Sequence, residues 1–378
     1  MISDSSSPLK VGLVGLGVLS QRSVLPHLML PDAQQVIELR AVCDIDDKRA
    51  HQVAEQYGVP EQYSSLDDML NTASIEAVLI CTPIHAHHSN ALAALSAGKH
   101  VYVQKTLALN ARDAQEILAE ARRRDLVLVA SPEQMLNPAR LAARRMLSDG
   151  AIGPVYWAFC PTDYPGPEGE QHRQGEQPFD RIDPTWYYRP GGGPVLNMTV
   201  YALHTLTGLL GPVKRVNAMS GVRQPTRRWK DHDIAVQVDD NTLLQLDFGA
   251  GVFAIASGSA AYPGRGVGWG HLCLYGTTGA MEVYAANPRE PNLASVVELV
   301  GGETYHFNDF GPYLPPDHAQ LGDPHVYADI RHFAECVAGG QRPYGYAAQA
   351  VHVIEVIEKG YLAARLGQPQ TIERTFEL

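Results

Sequence analysis

The chain has 378 residues, of which 45% are hydrophobic and 19% charged, a length and composition that exclude a small stapled scaffold and global disorder and lead us to expect two globular domains. Its 30 Lys and Arg against 41 Asp and Glu leave a formal charge of −11, a field that repels nucleic-acid phosphates and anionic membrane surfaces. The expectation is therefore no nucleic-acid and no membrane partner. Residues 1–8 lack the basic and apolar segments of a secretory signal, and no stretch approaches about 18 uninterrupted apolar residues. That predicts a soluble, cytoplasmic protein. The five cysteines, Cys43, Cys81, Cys160, Cys273 and Cys336, are odd in number, scattered and without a C-x-x-C pair, which argues against a disulfide framework and a zinc site.

In chain order, residues 10–14, 39–43, 77–81, 100–104 and 127–130 are short, nearly continuous apolar runs, as strands buried on both faces should be. Helical stretches at 47–57 and 91–97 alternate with them. A further helix runs toward Arg124, with Asn110 and Asp113 as its start signal and Arg122–Arg124 as its cationic last turn. Alternation of this kind implies right-handed βαβ crossovers and a doubly wound parallel sheet over residues 1–131. Beyond Ser131-Pro132 the grammar changes. One helix at 139–148 closes at Gly150, and strand-like runs then follow at 234–238, 242–248, 252–257, 272–275, 281–284 and 296–299. Turns at 239–241, 249–251 and 276–279 make these a large antiparallel meander within an α+β domain spanning 132–378. Residues 160–184 form a long aperiodic loop, and helices return at 326–338 and 347–366.

Gly15-Leu-Gly17-Val18-Leu19-Ser20 follows the first strand and opens an amphipathic segment, the context a dinucleotide fingerprint requires. The glycines allow a tight turn and close approach of backbone to pyrophosphate, with the helix N-terminus supplying N–H donors. Ser20, where a third glycine often stands, is expected to keep the packing close and add a hydroxyl donor. Asp44 ends the second strand, where a carboxylate accepts from ribose hydroxyls and favours NAD over NADP unless Lys48 or Arg49 compensates. The Gly15-to-Asp44 interval exceeds the usual span of about 20 residues, an excess we assign to an insertion around residues 31–35. His87 follows the strand at 77–81, on the edge where cofactors bind. Its neighbours His85 and His88 make a metal imaginable, but no Cys, Asp or Glu stands at ligand spacing, so no metal is expected.

Asn197, Tyr201 and His204 fall at i, i+4 and i+7 of a helix, along one stripe with Leu203, Leu206 and Leu210 opposite. An uncharged polar stripe suits a sugar-filled cleft. Trp186, Tyr187, Tyr188 and Arg189 offer aromatic faces and a guanidinium to a pyranose ring, and equally suit an interface.

Three further runs resemble, in order and spacing, the signatures of the Gfo/Idh/MocA oxidoreductases: Cys81-Thr82-Pro83-Ile-His-Ala-His87, Ala97-Gly-Lys-His-Val101 and Val103-Gln104-Lys105-Thr106. The likeness continues through Trp186, residues 191–194 and 197–201, and the turn at 276–279. It implies a Rossmann domain followed by an open, mostly antiparallel sheet, and hydride transfer between NAD and a hydroxyl of a sugar, cyclitol or glycoside. It also makes Thr82, Pro83, His87 and Gln104 cofactor residues and Lys105 the catalytic ammonium. Gln104 and Thr106 depart from the family's usual Glu and Pro, which puts the local backbone geometry in doubt. Asn197 cannot act as a base, so the proton falls to Tyr201 or His204, with Tyr201 favoured by its family position. Trp186, Tyr187, Arg189 and His325 are expected to contact substrate. The resemblance further implies a homodimer or homotetramer formed through the sheet's open face. Oxidation at C3 of a glucoside is the first choice; a glycosidase working by transient oxidation and an inactive sugar sensor are the alternatives.

Overall fold

The computed structural model describes residues 7–170, 173, 175, 181–261, 271–284, 295–307 and 314–377. The chain divides into two compact units, Met1–Pro132 with Leu314–Ala350, and Glu133–Tyr313 with Val351–Leu378. Among the described residues no helix is long and apolar enough to cross a membrane.

The first unit is built on six parallel strands: β1 (Leu9–Val14), β2 (Ile37–Cys43), β3 (Glu61–Tyr63), β4 (Ala77–Ile80), β5 (His100–Val103) and β6 (Leu128–Ala130). Their order is β3-β2-β1-β4-β5-β6, which reverses between β1 and β4 and opens a crevice at their carboxyl ends. Val11, Leu13, Leu79, Tyr102 and Val129 have no exposed surface, which explains why these strands read as continuous apolar runs. The Asn110 side chain accepts from the Asp113 N–H at 2.9 Å and starts the helix Ala111–Arg124. The helix Pro324–Ala338 sends Tyr327, Ile330 and Phe333 into the same core. This places 314–350 with the first unit, where the sequence reading drew one second domain from 132 to the end. The apolar face of that helix has its complement in the parallel sheet, a pairing that residue spacing does not reveal.

The second unit carries β7 (Val155–Pro161), β8 (Arg215–Gly221), β9 (Thr226–Trp229), β10 (His232–Ala235), β11 (Asn241–Gly249), β12 (Val252–Ser259), β13 (Leu272–Gly276), β14 (Ala280–Tyr284), β15 (Ser295–Leu299), β16 (Thr304–Phe307) and β17 (Gln370–Thr371). Nine of them form one sheet, ordered β16-β15-β14-β13-β7-β12-β11-β8-β17, antiparallel except where β7 meets β12. The turns at 249–251 and 276–279 are hairpins as expected. The expected hairpin at 239–241 is not one. β10 pairs with β9 in a separate ribbon, and β11 lies between β8 and β12. Asp240 explains the difference: its buried carboxylate accepts the N–H groups of Arg223 at 2.5 Å and Gln224 at 3.0 Å, tying this segment to the end of β8. The aperiodic loop expected at 160–184 is in part the end of β7 and two short helical turns, Pro167–Gly169 and Pro184–Tyr188. Residues 171, 172, 174 and 176–180 lie outside the described residues.

Candidate functional site

At the end of β1, Gly15 adopts φ +86°, and its N–H donates to the Cys43 carbonyl at 2.9 Å. A Cβ there would stand 2.7 Å from the Thr82 nitrogen and 2.8 Å from the Cys81 carbonyl carbon, so only glycine lets the bend lie against the end of β4. Gly17 is different: a Cβ at that position meets no atom within 4 Å. The space beside it is open, and Gly17, Val18 and Leu19 are partly exposed. Ser20 is buried, and its hydroxyl donates to the Gly15 carbonyl at 2.5 Å, closing the bend from inside. Ser20, expected to keep the packing close and add a hydroxyl donor, is buried, and that donor is taken up by the Gly15 carbonyl.

Asp44, 6% exposed, accepts the Leu16 N–H at 2.7 Å and the Asp46 N–H at 2.9 Å. The carboxylate thus holds the glycine bend to the end of β2. Arg49, one turn into the helix Asp47–Tyr57, places its guanidinium 3.1 Å from Asp44 and 3.3 Å from Asp46. The sequence offered Lys48 or Arg49 as the residue that could offset these carboxylates, and the structure puts Arg49 on them.

Beyond β5 the chain turns through Gln104, Lys105 and Thr106, and the Lys105–Thr106 peptide is cis. Gln104 is buried; its amide donates to the Tyr102 hydroxyl at 2.8 Å, and its Oε1 accepts the Lys105 N–H at 3.2 Å. The His87 ring is also buried, with Nδ1 2.7 Å from the Thr106 carbonyl and Nε2 2.8 Å from the Thr82 carbonyl. Burial pushes its pKa down to about 4; the two carbonyls pull upward and Lys105 and His85 press downward. Both ring nitrogens face carbonyls, so His87 has no nitrogen to offer a metal. Sequence reasoning made His87 a cofactor residue, whereas the structure makes it a bracket between β4 and the Lys105 turn. Thr82 is partly exposed and Pro83 exposed on that edge. Thr106 Oγ1 is buried without a hydrogen-bond partner. Sequence reasoning also missed Asp329, which accepts from Ser131 Oγ at 2.6 Å at the end of β6. His325 lies in the first turn of Pro324–Ala338 and so belongs to the first unit.

In the second unit, Asn197 lies in a π-helical turn, Val195–Thr199, that leads into the helix Val200–Leu210 with Tyr201 and His204. The Asn197 amide donates to the Gly193 carbonyl at 2.9 Å. Tyr201 and His204 are buried at 6% and 3%, like Leu203 and Leu206 opposite them, so the helix is enclosed on both faces. Trp186 is 43% exposed and Arg189 is exposed. Tyr187 and Tyr188 are not available to a sugar ring. They are buried with Tyr164, Trp229 and Ile234, in edge contacts at 5.9 and 5.2 Å. Burial raises the pKa of both, and the Tyr188 hydroxyl donates to Glu168.

The order of the parallel sheet, with a glycine bend and open space beside Gly17 at its switch point, is that of a dinucleotide-binding Rossmann framework. Residues 9–131 match the family model described as oxidoreductase family, NAD-binding Rossmann fold, and residues 141–282 match the GFO/IDH/MocA C-terminal domain. The chain belongs to the Gfo/Idh/MocA oxidoreductase family, and its first unit contains an NAD-binding Rossmann domain. It is 23% identical to the trans-1,2-dihydrobenzene-1,2-diol dehydrogenase of Mus musculus over 96% of this chain and 98% of that protein. It is 26% identical to the D-glucoside 3-dehydrogenase of Escherichia coli over 65% of this chain and 68% of that one. A solved levoglucosan dehydrogenase, in complex with NADH and levoglucosan, shares the fold with a TM-score of 0.80 at 18% identity, covering 97% and 100% of the two chains.

The residues present fit the dinucleotide: open space beside Gly17, the partly exposed Val18 and Leu19, and the unpartnered Thr106 hydroxyl all lie at the carboxyl edge of the sheet.

Proposed function

We propose that the protein is an NAD-dependent dehydrogenase that oxidises a ring hydroxyl of a sugar or glycoside to a ketone, with C3 of a glucoside as the first candidate, or runs the reverse reaction. Gly15 to Leu19 hold the pyrophosphate, Asp44 takes the adenosine ribose, and Thr82 and Pro83 border the crevice. A nicotinamide held there would supply hydride exchange at the carbon that carries the hydroxyl. Lys105 places its ammonium beside that hydroxyl, lowers its pKa and stabilises the alkoxide as the C–H bond breaks. The hydroxyl proton passes to Tyr201, with His204 as the competing acceptor and Asn197 orienting the ring. Trp186 and Arg189 contact the substrate. The observation that carries this reading is the fixing of the Lys105 turn, from one side by Gln104 and from the other by His87.

The family and the names of the curated relatives support the substrate class. We also propose a homo-oligomer formed through the open face of the nine-stranded sheet, where Met219, Phe253 and Tyr275 are exposed. A cytoplasmic setting is supported by five free thiols.

Absorbance at the nicotinamide band, read after mixing protein and NAD with monosaccharides, inositols and glycosides, tests the reading. Lys105→Ala should lower kcat by about 100-fold or more, as loss of a charge-stabilising donor does, while NAD affinity stays within a few-fold. Unchanged turnover would remove Lys105 from the chemistry. Tyr201→Phe with full activity, beside an inactive His204→Gln, would transfer the proton to His204.

A further inference from the structure

We propose that His271, Cys273 and Glu282, on the open face of the nine-stranded sheet, form a binding site for a divalent cation of the zinc type. The register of the strands creates the cluster. Cys273 in β13 is paired directly with Glu282 in β14, and His271 lies two residues before Cys273, so all three side chains leave the same face. Leu272, Leu274, Met281 and Val283 point the other way, into the core.

The three ligand atoms converge within 4.8 Å of one another. His271 Nε2 is 3.0 Å from Glu282 Oε2 and 3.4 Å from Cys273 Sγ. The ring nitrogen can donate to the carboxylate or accept the thiol proton, but not both at once. A cation placed between them satisfies all three atoms at once. Tetrahedral coordination, with bonds of about 2.0 to 2.3 Å, sets neighbouring ligand atoms roughly 3.3 to 3.6 Å apart; the nitrogen–sulfur separation of 3.4 Å falls in that range and the nitrogen–oxygen separation of 3.0 Å needs only a small opening.

The surroundings already orient the ligands. The Tyr284 ring stacks on His271 at 4.4 Å between centroids and 11° between planes, and its hydroxyl donates to Glu282. These outer contacts fix the imidazole plane and the carboxylate rotamer. The side chains of His271 and Glu282 are 18% and 31% exposed, which leaves a route for the ion and a place for water as fourth ligand. A thiolate, an imidazole and a carboxylate select a borderline cation such as Zn2+ over Mg2+ or Ca2+. The other described cluster, His88 with Asp113 and Glu116, has no sulfur, and its Asp113 is engaged by Asn110 at the helix start.

The test uses the full chain, stripped with chelator and titrated with Co2+ as a spectroscopic probe. The expected result is one equivalent bound per chain, with visible ligand-field bands of tetrahedral strength and a near-ultraviolet thiolate charge-transfer band, all bleached by Zn2+. Cys273→Ser should abolish the charge-transfer band, and Glu282→Gln should weaken Co2+ binding by at least ~10-fold, the lower end of what even an outer partner costs. Thermal unfolding of the unaltered chain should move upward in Zn2+ relative to chelator. The proposal is overturned by the absence of these bands, or by their survival in Cys273→Ser, which would move the sulfur ligand to another cysteine. If Cys273→Ser does not fold, Glu282→Gln decides, and unchanged Co2+ affinity there overturns the site.

Discussion

His87 Nδ1 lies 2.7 Å from the carbonyl oxygen of Thr106, the residue that follows Lys105. The other ring nitrogen reaches the Thr82 carbonyl, so one buried side chain spans from the end of β4 to the turn that carries the ammonium. A neutral imidazole donates from one nitrogen at a time, and either tautomer leaves the ring packed between the same two segments.

His87→Ala removes that bracket without touching Lys105. A displacement of about 1 Å in a reacting group can cost ~100-fold in rate, so kcat should fall by at least ~10-fold. KM for NAD should change little, because the bend at Gly15 and Gly17 is untouched. His87→Gln, which restores one donor, should recover part of the rate. Equal losses in kcat and in cofactor affinity would make His87 a plain core residue.

Gly15 and Gly17 are two residues apart and answer to different constraints. Gly15→Ala forces a positive φ on an L-residue and drives a methyl into the backbone of Cys81 and Thr82, at a cost of roughly 2–5 kcal/mol of fold stability. Gly17→Ala places its methyl in open space, so stability should stay within ~1 kcal/mol. That space is where we place the pyrophosphate, so NAD affinity should drop by at least ~10-fold, about 1.4 kcal/mol. Urea unfolding and NAD titration on the two variants separate the roles. A Gly17→Ala protein that binds NAD normally would move the pyrophosphate elsewhere.

On the proposed reading, the pairing of Asp44 with Arg49 bears on the choice between NAD and NADP. Asp44→Asn keeps the shape of the side chain and removes the charge that engages Arg49. The guanidinium then keeps only Asp46 as a carboxylate partner and can turn part of its donor set to a 2′-phosphate, so the ratio of NADP to NAD affinity should rise by at least ~10-fold. Adding Arg49→Ala should cancel that gain. A ratio unmoved by Asp44→Asn would mean that the carboxylate serves only the local structure, through the Leu16 and Asp46 N–H groups.

Much of this was legible in the sequence because the responsible signals are local. Val11 to Val14 and Ala77 to Ile80 are buried on both faces and so spell continuous apolar runs. The helix Asp47–Tyr57 begins and ends where its composition says, with Gly58 in the left-handed conformation that closes it. β8 was hidden, since Arg215, Asn217 and Met219 share the open face and break the run at every second residue. Gly15 and Asp44 were readable from their places at the ends of the first and second strands, whereas Lys105 was picked out only by the family resemblance. The inward turn of Ser20, the burial of Tyr187 and the return of Pro324–Ala338 to the first unit depend on partners distant in the chain. So does the His271, Cys273 and Glu282 cluster, which exists only through the register of β13 against β14.

Acid sensitivity follows from two enclosed histidines. Burial holds His27 down at about 4, where Nδ1 meets His318 Nδ1 at 2.7 Å and Nε2 meets the Gly322 carbonyl at 2.9 Å, with the Tyr327 ring stacked alongside. The facing charges are Asp323, His325 and, through His318, Asp32. His87 is held at about 4 as well, again chiefly by burial. Each pKa is depressed below the unfolded value of about 6.5, so between these limits the unfolded chain binds more protons than the folded one, and stability rises with pH. The contribution is complete above about pH 6.5, shrinks as pH falls through that window, and levels off below about 4. Its upper size is ~3 kcal/mol for each ring. Carboxylates lose stability in the same direction, so the comparison must be made with variants. Urea midpoints of the unaltered chain and of His27→Gln, taken from pH 7 to pH 4, should converge as pH falls, because the variant has no ring proton to take up on unfolding. Parallel curves would show that His27 does not titrate with unfolding.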